Sequence, residues 1–180
     1  DEDVIGVCGR GLDFASGPMA MDVVSNTIVE PGLSAIVMNH WTLNGNTLRS
    51  NIIKRESPWP GEQGDNSFSE GAIAYGDKVP DELSDFKPAK ITAIDGISVS
   101  GTSGPGSPCP FCVVELFLED RDTVVEALQP LALVTADGNG NWTATLPAPL
   151  DEDQALRTMS TVPDDWTITG LDEGTTSNLS

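Results

Sequence analysis

Two six-residue stretches, Val24-Ser25-Asn26-Thr27-Ile28-Val29 and Arg49-Ser50-Asn51-Ile52-Ile53-Lys54, share one pattern, and Asn26 and Asn51 stand 25 residues apart. A repeat of that length restricts the fold severely. Each unit is too short to enclose a core of its own, so it buries its apolar side chains by stacking on a neighbour. A second series repeats as Gly11-Leu12-Asp13-Phe14, Ser34-Ala35-Ile36-Val37 and Gly71-Ala72-Ile73-Ala74. In that alignment Leu12 to Ala35 is 23 residues and Ala35 to Ala72 is 37. The excess falls at residues 57–66, rich in Pro, Gly and acids, which read as a loop inserted into one coil.

These spacings predict a parallel β-solenoid of about three coils over residues 1–80, with Ile28, Ile36, Leu48, Ile53 and Ile73 stacked inside. Asparagine suits the corners, because its amide can bond its counterpart in the next coil while its backbone tolerates the left-handed region. The competing reading is a β-sandwich with coincidental spacing. Residues 81–90 are polar with a proline at 88 and read as a linker. From 91 to 180 the grammar is that of an immunoglobulin-like β-sandwich. Strand candidates run over 89–94, 96–101, 112–118, 131–136, 141–146, 156–162 and 166–171. Asp95-Gly96 marks a first hairpin and Asp137-Gly138-Asn139-Gly140-Asn141 a later one. Residues 123–129 read as one helical turn. Sustained helical periodicity is otherwise missing, and the fold class expected is all-β.

The chain carries 28 Asp+Glu against 9 Lys+Arg, a net charge of −19. Such a surface repels nucleic-acid phosphates and anionic lipid, so neither nucleic acid nor membrane insertion is expected. Three cysteines are present, Cys8, Cys109 and Cys112. Cys109-Pro110-Phe111-Cys112 has a redox spacing, but a strand-like run follows it where a redox thiolate needs a helix N-terminus. A zinc site lacks a second ligand pair, since Cys8 and His40 alone remain. The reading kept is a small structural disulfide, Cys109 to Cys112, formed in an oxidising compartment. Cys8 is then a buried thiol or an intermolecular link. The start at Asp1 within an acidic stretch reads as a processed mature end or a fragment boundary.

Asp137, Asn139 and Asn141 alternate like the opening of a calcium loop. Trp142 stands where that loop needs glycine, and Ala148 where it needs an acid, so they are weak candidates for Ca2+ and the turn reading is preferred. Glu119-Asp120, Asp151-Glu152-Asp153 and Asp164-Asp165 read as solvated turns. No series of acids recurs at the coil step, and a single histidine limits triads, so no catalytic residue is assigned. Trp142 and Trp166 read as sandwich core. Trp59, between Pro58 and Pro60, is the candidate aromatic contact for a glycan, or else the anchor of its own loop. Asn141-Trp142-Thr143 and Asn178-Leu179-Ser180 are glycosylation sequons.

The order Ser25-Asn26-Thr27-Ile28, Gly32-Leu33-Ser34-Ala35-Ile36-Val37, Asn46-Thr47-Leu48-Arg49-Ser50-Asn51-Ile52-Ile53 resembles right-handed parallel β-helix proteins of the bacterial cell exterior. The later phrases Ile97-Ser98-Val99-Ser100-Gly101-Thr102, Cys112-Val113-Val114-Glu115-Leu116-Phe117 and Asp137-Gly138-Asn139-Gly140-Asn141-Trp142 resemble the small immunoglobulin-like domain that follows such helices. The resemblance implies a non-catalytic, exported or surface-bound chain. Val4-Ile5-Gly6-Val7-Cys8 is a strand-prone run at the open end of the first coil, with Val4, Ile5 and Val7 as the expected assembly residues. The expected function is an extracellular structural subunit that assembles by stacking or strand addition there, as a filament or surface layer. Its partner is another copy placed head to tail, or upstream β-helix coils. The alternative is a surface adhesion or carbohydrate-binding module, and the third reading is a fragment of a β-helix polysaccharide-active enzyme. No cofactor is expected beyond weak calcium.

Overall fold

The structure, a computed structural model, describes residues 4–6, 11–14, 21–38, 45–56, 72–75, 81, 85–103, 109–122, 124–163, 176, 177 and 179, with the side chains of 4–6 left aside. It is an all-β protein. Eight three-residue strands come first: β1 (Val4–Gly6), β2 (Leu12–Phe14), β3 (Asp22–Val24), β4 (Thr27–Val29), β5 (Ile36–Met38), β6 (Thr47–Arg49), β7 (Ile52–Lys54) and β8 (Ile73–Tyr75). Every pairing among them is parallel, in the orders β1-β4-β7, β2-β5-β8 and β3-β6. Strands three apart in the chain therefore pair, and among the described residues the first rung is β1, β2 and β3 and the third rung, at the other end of the stack, is β6, β7 and β8. Such short strands are held by what they bury: Ile28, Ile36, Leu48 and Ile53 are at most 1% exposed, and Ile73 is also buried. Each contributes roughly 1.5–3 kcal/mol on leaving water.

Ile28 pairs with Ile53 and Val24 with Arg49, the 25-residue step read from the sequence. The second series is shifted by one residue from its expected alignment. Leu12 pairs with Ile36 rather than Ala35, while the longer step, Ile36 to Ile73, is 37 residues as read. The shift places Gly11 level with Ala35, where the approach is tight: a side chain on Gly11 would meet the Ala35 carbonyl oxygen and the Ile28 side chain. At the corners Asn26 donates to Asn51 Oδ1 through its backbone N (3.1 Å) and its Nδ2 (3.2 Å), and Asn51 Nδ2 donates to Val23 O (2.7 Å). The left-handed backbone expected at the asparagines lies one residue earlier, at Ser25 (φ 59°) and Ser50 (φ 56°). The asparagines can therefore serve as rung-to-rung bridges while the preceding serine takes the bend.

The rest of the described chain is antiparallel: β9 (Lys90–Asp95), β10 (Ser98–Thr102), β11 (Val113–Asp120), β12 (Gln129–Thr135), β13 (Asn141–Thr145) and β14 (Gln154–Thr161). They form two three-stranded sheets, β9-β10-β13 and β12-β11-β14. Val99, Trp142 and Ala144 of the first sheet share one core with Val114 and Leu116 of the second. Asp95 and Ser98 pair across a two-residue turn with Gly96 at φ 59°, the first hairpin expected. Gly101 lies opposite Trp142, and a side chain there would strike the indole ring and the Lys90 carbonyl. The later hairpin is corrected: Asp137 to Asn141 joins β12 to β13, which lie in different sheets, so it is a crossing between layers. The helical turn expected over 123–129 is corrected too: residues 124–129 carry no helix, and Ala127 forms an antiparallel bridge with Ile53.

Within the segment expected as polar linker, Phe86, Pro88 and Ala89 are buried while Lys87 stays exposed. Phe86 is 8% exposed and Ala89 3%, and Thr158 Oγ1 donates to Ala89 O (2.5 Å). A single core runs through the junction, with Ile28, Leu48 and Ile53 of the parallel rungs beside Phe86, Phe117, Ala127 and Met159. Strand β11 explains how this arises. Val114 and Leu116 face the antiparallel core, whereas Phe117 belongs to the shared core and Glu115 reaches the rungs. Both faces of β11 are thus buried, which is why it reads as a nearly continuous apolar run interrupted by two glutamates.

Candidate functional site

The two ends of the parallel stack differ, and that difference defines the site. At the third rung, the strand edges are met by groups from the antiparallel half. Ile53 N donates to Ala127 O (2.9 Å) and Ala127 N to Ile53 O (3.0 Å). Leu48 N donates to Thr176 Oγ1 (3.0 Å), Thr176 N donates to Asn46 O (3.2 Å), and Tyr75 Oη donates to Thr176 O (2.6 Å). Two carboxylates complete the cover. Glu115 Oε1 accepts from Ser50 N (3.0 Å) and Ser50 Oγ (3.1 Å), and Glu126 Oε1 accepts from Arg55 N. Buried backbone donors need such partners, because an unpaired one in an apolar setting costs about 1–3 kcal/mol.

At the first rung, β1, β2 and β3 each pair on one side only among the described residues. Met21 and Val24, beside β3 and in it, are each 37% exposed, while Val23 between them is buried. Of the expected assembly residues, Val4 and Ile5 lie in β1, paired with Thr27 and Ile28. Val7, Cys8, Trp59, His40, the inserted loop at 57–66, the strand candidate at 166–171, Asp164-Asp165, Trp166 and Asn178 lie outside the described residues.

The acidic residues divide into two kinds. Glu119 was expected in a solvated turn, but it is a strand residue 2% exposed, paired with Arg157 Nε (2.5 Å) and accepting from Glu126 N (3.3 Å). Burial pushes its carboxyl above the usual range, against the opposing influence of Arg157. Glu115 is raised for the same reason, partly offset by its bonds from Ser50, and its Oε2 is buried without a hydrogen-bond partner. Carboxylate oxygens of Asp120, Asp122 and Glu126 all lie within 4.8 Å of one another. They are close enough for their charges to repel one another, and no metal centre is assigned to them.

Asp137 is the opposite case. Its Oδ1 accepts from Asn139 N (2.8 Å) and Asn141 N (2.8 Å), which holds its carboxyl below the ordinary value. The carboxylate that a calcium loop would offer to an ion therefore closes its own turn, with Asn139 and Asn141 engaged as donors.

Cys109 and Cys112 form a disulfide, their Cα atoms 5.4 Å apart. Cys112 N donates to Cys109 O (3.2 Å) and Phe111 has φ 63°, the arrangement of a tight four-residue turn with Pro110 at its second position. Phe111 is 43% exposed, and its ring lies against Gly138, where a side chain would come within 3.2 Å of it. Trp142 is buried, as its sandwich-core reading required.

Sequence reasoning missed the covering role of Glu115, Glu126 and Thr176. The one available signal was glutamate inside the apolar run Val113-Val114-Glu115-Leu116-Phe117-Leu118-Glu119. No protein-family model matches the chain, and no curated protein matches it.

Proposed function

We propose that the chain is a non-catalytic extracellular structural subunit: a short right-handed parallel β-helix followed by an immunoglobulin-like β-sandwich, assembling through the open end of its rungs. The class is that of β-structured modules which act by presenting strand edges. The particular reading within it is a subunit that adds to its own kind by strand addition at β1. The observation carrying it is the asymmetry of the stack: the third rung is met by Glu115, Glu126, Ala127 and Thr176, whereas β1, β2 and β3 each pair on one side only among the described residues. The Cys109–Cys112 disulfide and the large negative charge fit an oxidising, extracellular setting.

The closed end narrows how copies meet. Rung-on-rung stacking between copies needs two open ends, and the third rung is already occupied by the same chain's antiparallel half. Strand addition at β1 needs only one free edge there and an extended strand from the next copy. An outer strand with unpaired backbone groups is a template for such addition.

Sedimentation of the full chain over a range of concentrations, with electron microscopy of the same samples, tests this reading. Assemblies that grow with concentration are expected. Ile5→Pro removes a β1 backbone donor and should disperse them while circular dichroism retains the β signal. Monomers at every concentration, or assemblies indifferent to Ile5→Pro, would contradict it.

A further inference from the structure

We propose that the strand which the next copy adds at β1 is β9, so that the flank of the antiparallel half between β9 and β14 is the second face of the assembly contact. The inference rests on the assembly reading and supplies its partner strand.

A head-to-tail contact needs its two faces at opposite ends of the molecule. Strand β11 shows where those ends are. Glu115 and Phe117 are turned to the rungs, and Val114 and Leu116 to the core shared with β10 and β13. The sheet β9-β10-β13 therefore lies on the far side of β11 from the rungs, and β9 and β1 belong to opposite ends. Of the four outer strands of the antiparallel sheets, three have part of their edge taken or blocked. Ser160 N of β14 donates to Ser177 Oγ (2.9 Å), and Ser160 O accepts from Ser177 N (2.8 Å). Asn141 O of β13 accepts from Asp137 N (2.7 Å), and β12 carries Pro130, which has no N–H to offer. Strand β9 pairs with β10 on one side, and among the described residues nothing hydrogen-bonds to its other side. Ile94, 50% exposed, gives it apolar surface for a partner to cover.

Charge points to the same flank. Two copies that each carry −19 repel, so they meet where the local sign is reversed. The antiparallel half holds few cations: Lys87, Lys90, Arg121 and Arg157. Three of them stand at this flank. A groove of about 340 Å³ runs between Pro88, Ala89 and Ile91 on one side and Leu156 on the other, with Lys90 and Arg157 in its lining. Lys87 is the exposed residue before Pro88. Arg157 is matched by Glu119, whereas Lys90 is exposed and makes no ion pair among the described residues. In the next copy Asp1-Glu2-Asp3 comes directly before β1 in the chain. The two ends of β9 select the direction of pairing. Lys90 opens the strand and Asp95 closes it, so parallel alignment brings Lys90 to the three acids, while antiparallel alignment would bring Asp95. Parallel pairing is also the arrangement of every described strand pair in the rungs.

Sedimentation of the full chain over a range of concentrations reads the contact. Lys90→Glu should raise the concentration needed for assembly roughly ten-fold, and Asp3→Lys in the same chain should restore it. Lys54→Glu adds the same negative charge at an exposed position on β7 and should leave assembly unchanged. Backbone amides of residues 91–94 should exchange more slowly in the assemblies than in dispersed Ile5→Pro protein. Four results would each overturn the inference and leave assembly at β1 standing. These are assemblies that dissolve with Ile5→Pro but ignore Lys90→Glu, an equal loss with Lys54→Glu, no restoration by Asp3→Lys, and β9 amides equally protected in the dispersed protein. An unaltered chain that stays monomeric at every concentration would overturn both readings.

Discussion

At the scale of single residues, the best-read feature of the chain is the asparagine corner. A bridge between rungs requires the same amide at the same place in successive coils, so Asn26 and Asn51 fix the 25-residue step by chemistry rather than by hydropathy. The two residues do unequal work. Asn51 is 3% exposed, accepts two bonds from Asn26 and donates to Val23 O, whereas Asn26 also reaches Val24 O at its own exposed corner. Asn51→Ala leaves buried partners unpaired and should lower stability by about 2–3 kcal/mol, and Asn26→Ala by about 1 kcal/mol, measured by chemical denaturation. Equal losses would mean that the bridge is not directional. The serine bend was not legible, because Ser25 and Ser50 carry nothing in their side chains that marks a positive φ.

At the scale of elements, legibility follows the presence of a polar marker. The first repeat series carries asparagine and was placed in register. The second has only Leu12, Ala35, Ile36 and Ile73 to align, and sliding by one residue exchanges one apolar partner for another, so the choice fell one residue short. Five strands of the antiparallel half were recognisable from alternation, but β11 is buried on both faces and its second face had no visible partner. The same blindness turned residues 123–129 into a helical turn: Ala127 becomes extended because it bridges Ile53, 74 positions away in the chain, and local pattern carries no trace of that. Phe117, wholly buried in the shared core, is the element-scale probe. Phe117→Ala should cost about 3–5 kcal/mol. Because the core is shared, Trp142 fluorescence and amide signals from the rungs should lose stability together in one denaturation series.

At the scale of the molecule, the sequence divided the chain into two grammars, parallel coils and antiparallel strands, and the described strands follow that division. What composition could not reveal is that the second half serves as the cover of the first. That relation depends on contacts between residues more than fifty positions apart, Ser50 with Glu115, Arg55 with Glu126 and Leu48 with Thr176. A short stack exposes apolar cross-sections and strand edges at both ends, and this chain satisfies one of them internally. Assembly at β1 is proposed at the end that the antiparallel half does not reach among the described residues.

Amide exchange at neutral pH measures the closure most directly. If the antiparallel half covers the third rung, the amides of Leu48, Ser50, Ile53 and Arg55 exchange as slowly as those of Val114 and Leu116 in β11, and all are released together by denaturant. Third-rung amides that exchange at the rate of exposed backbone while β11 stays protected would contradict the account.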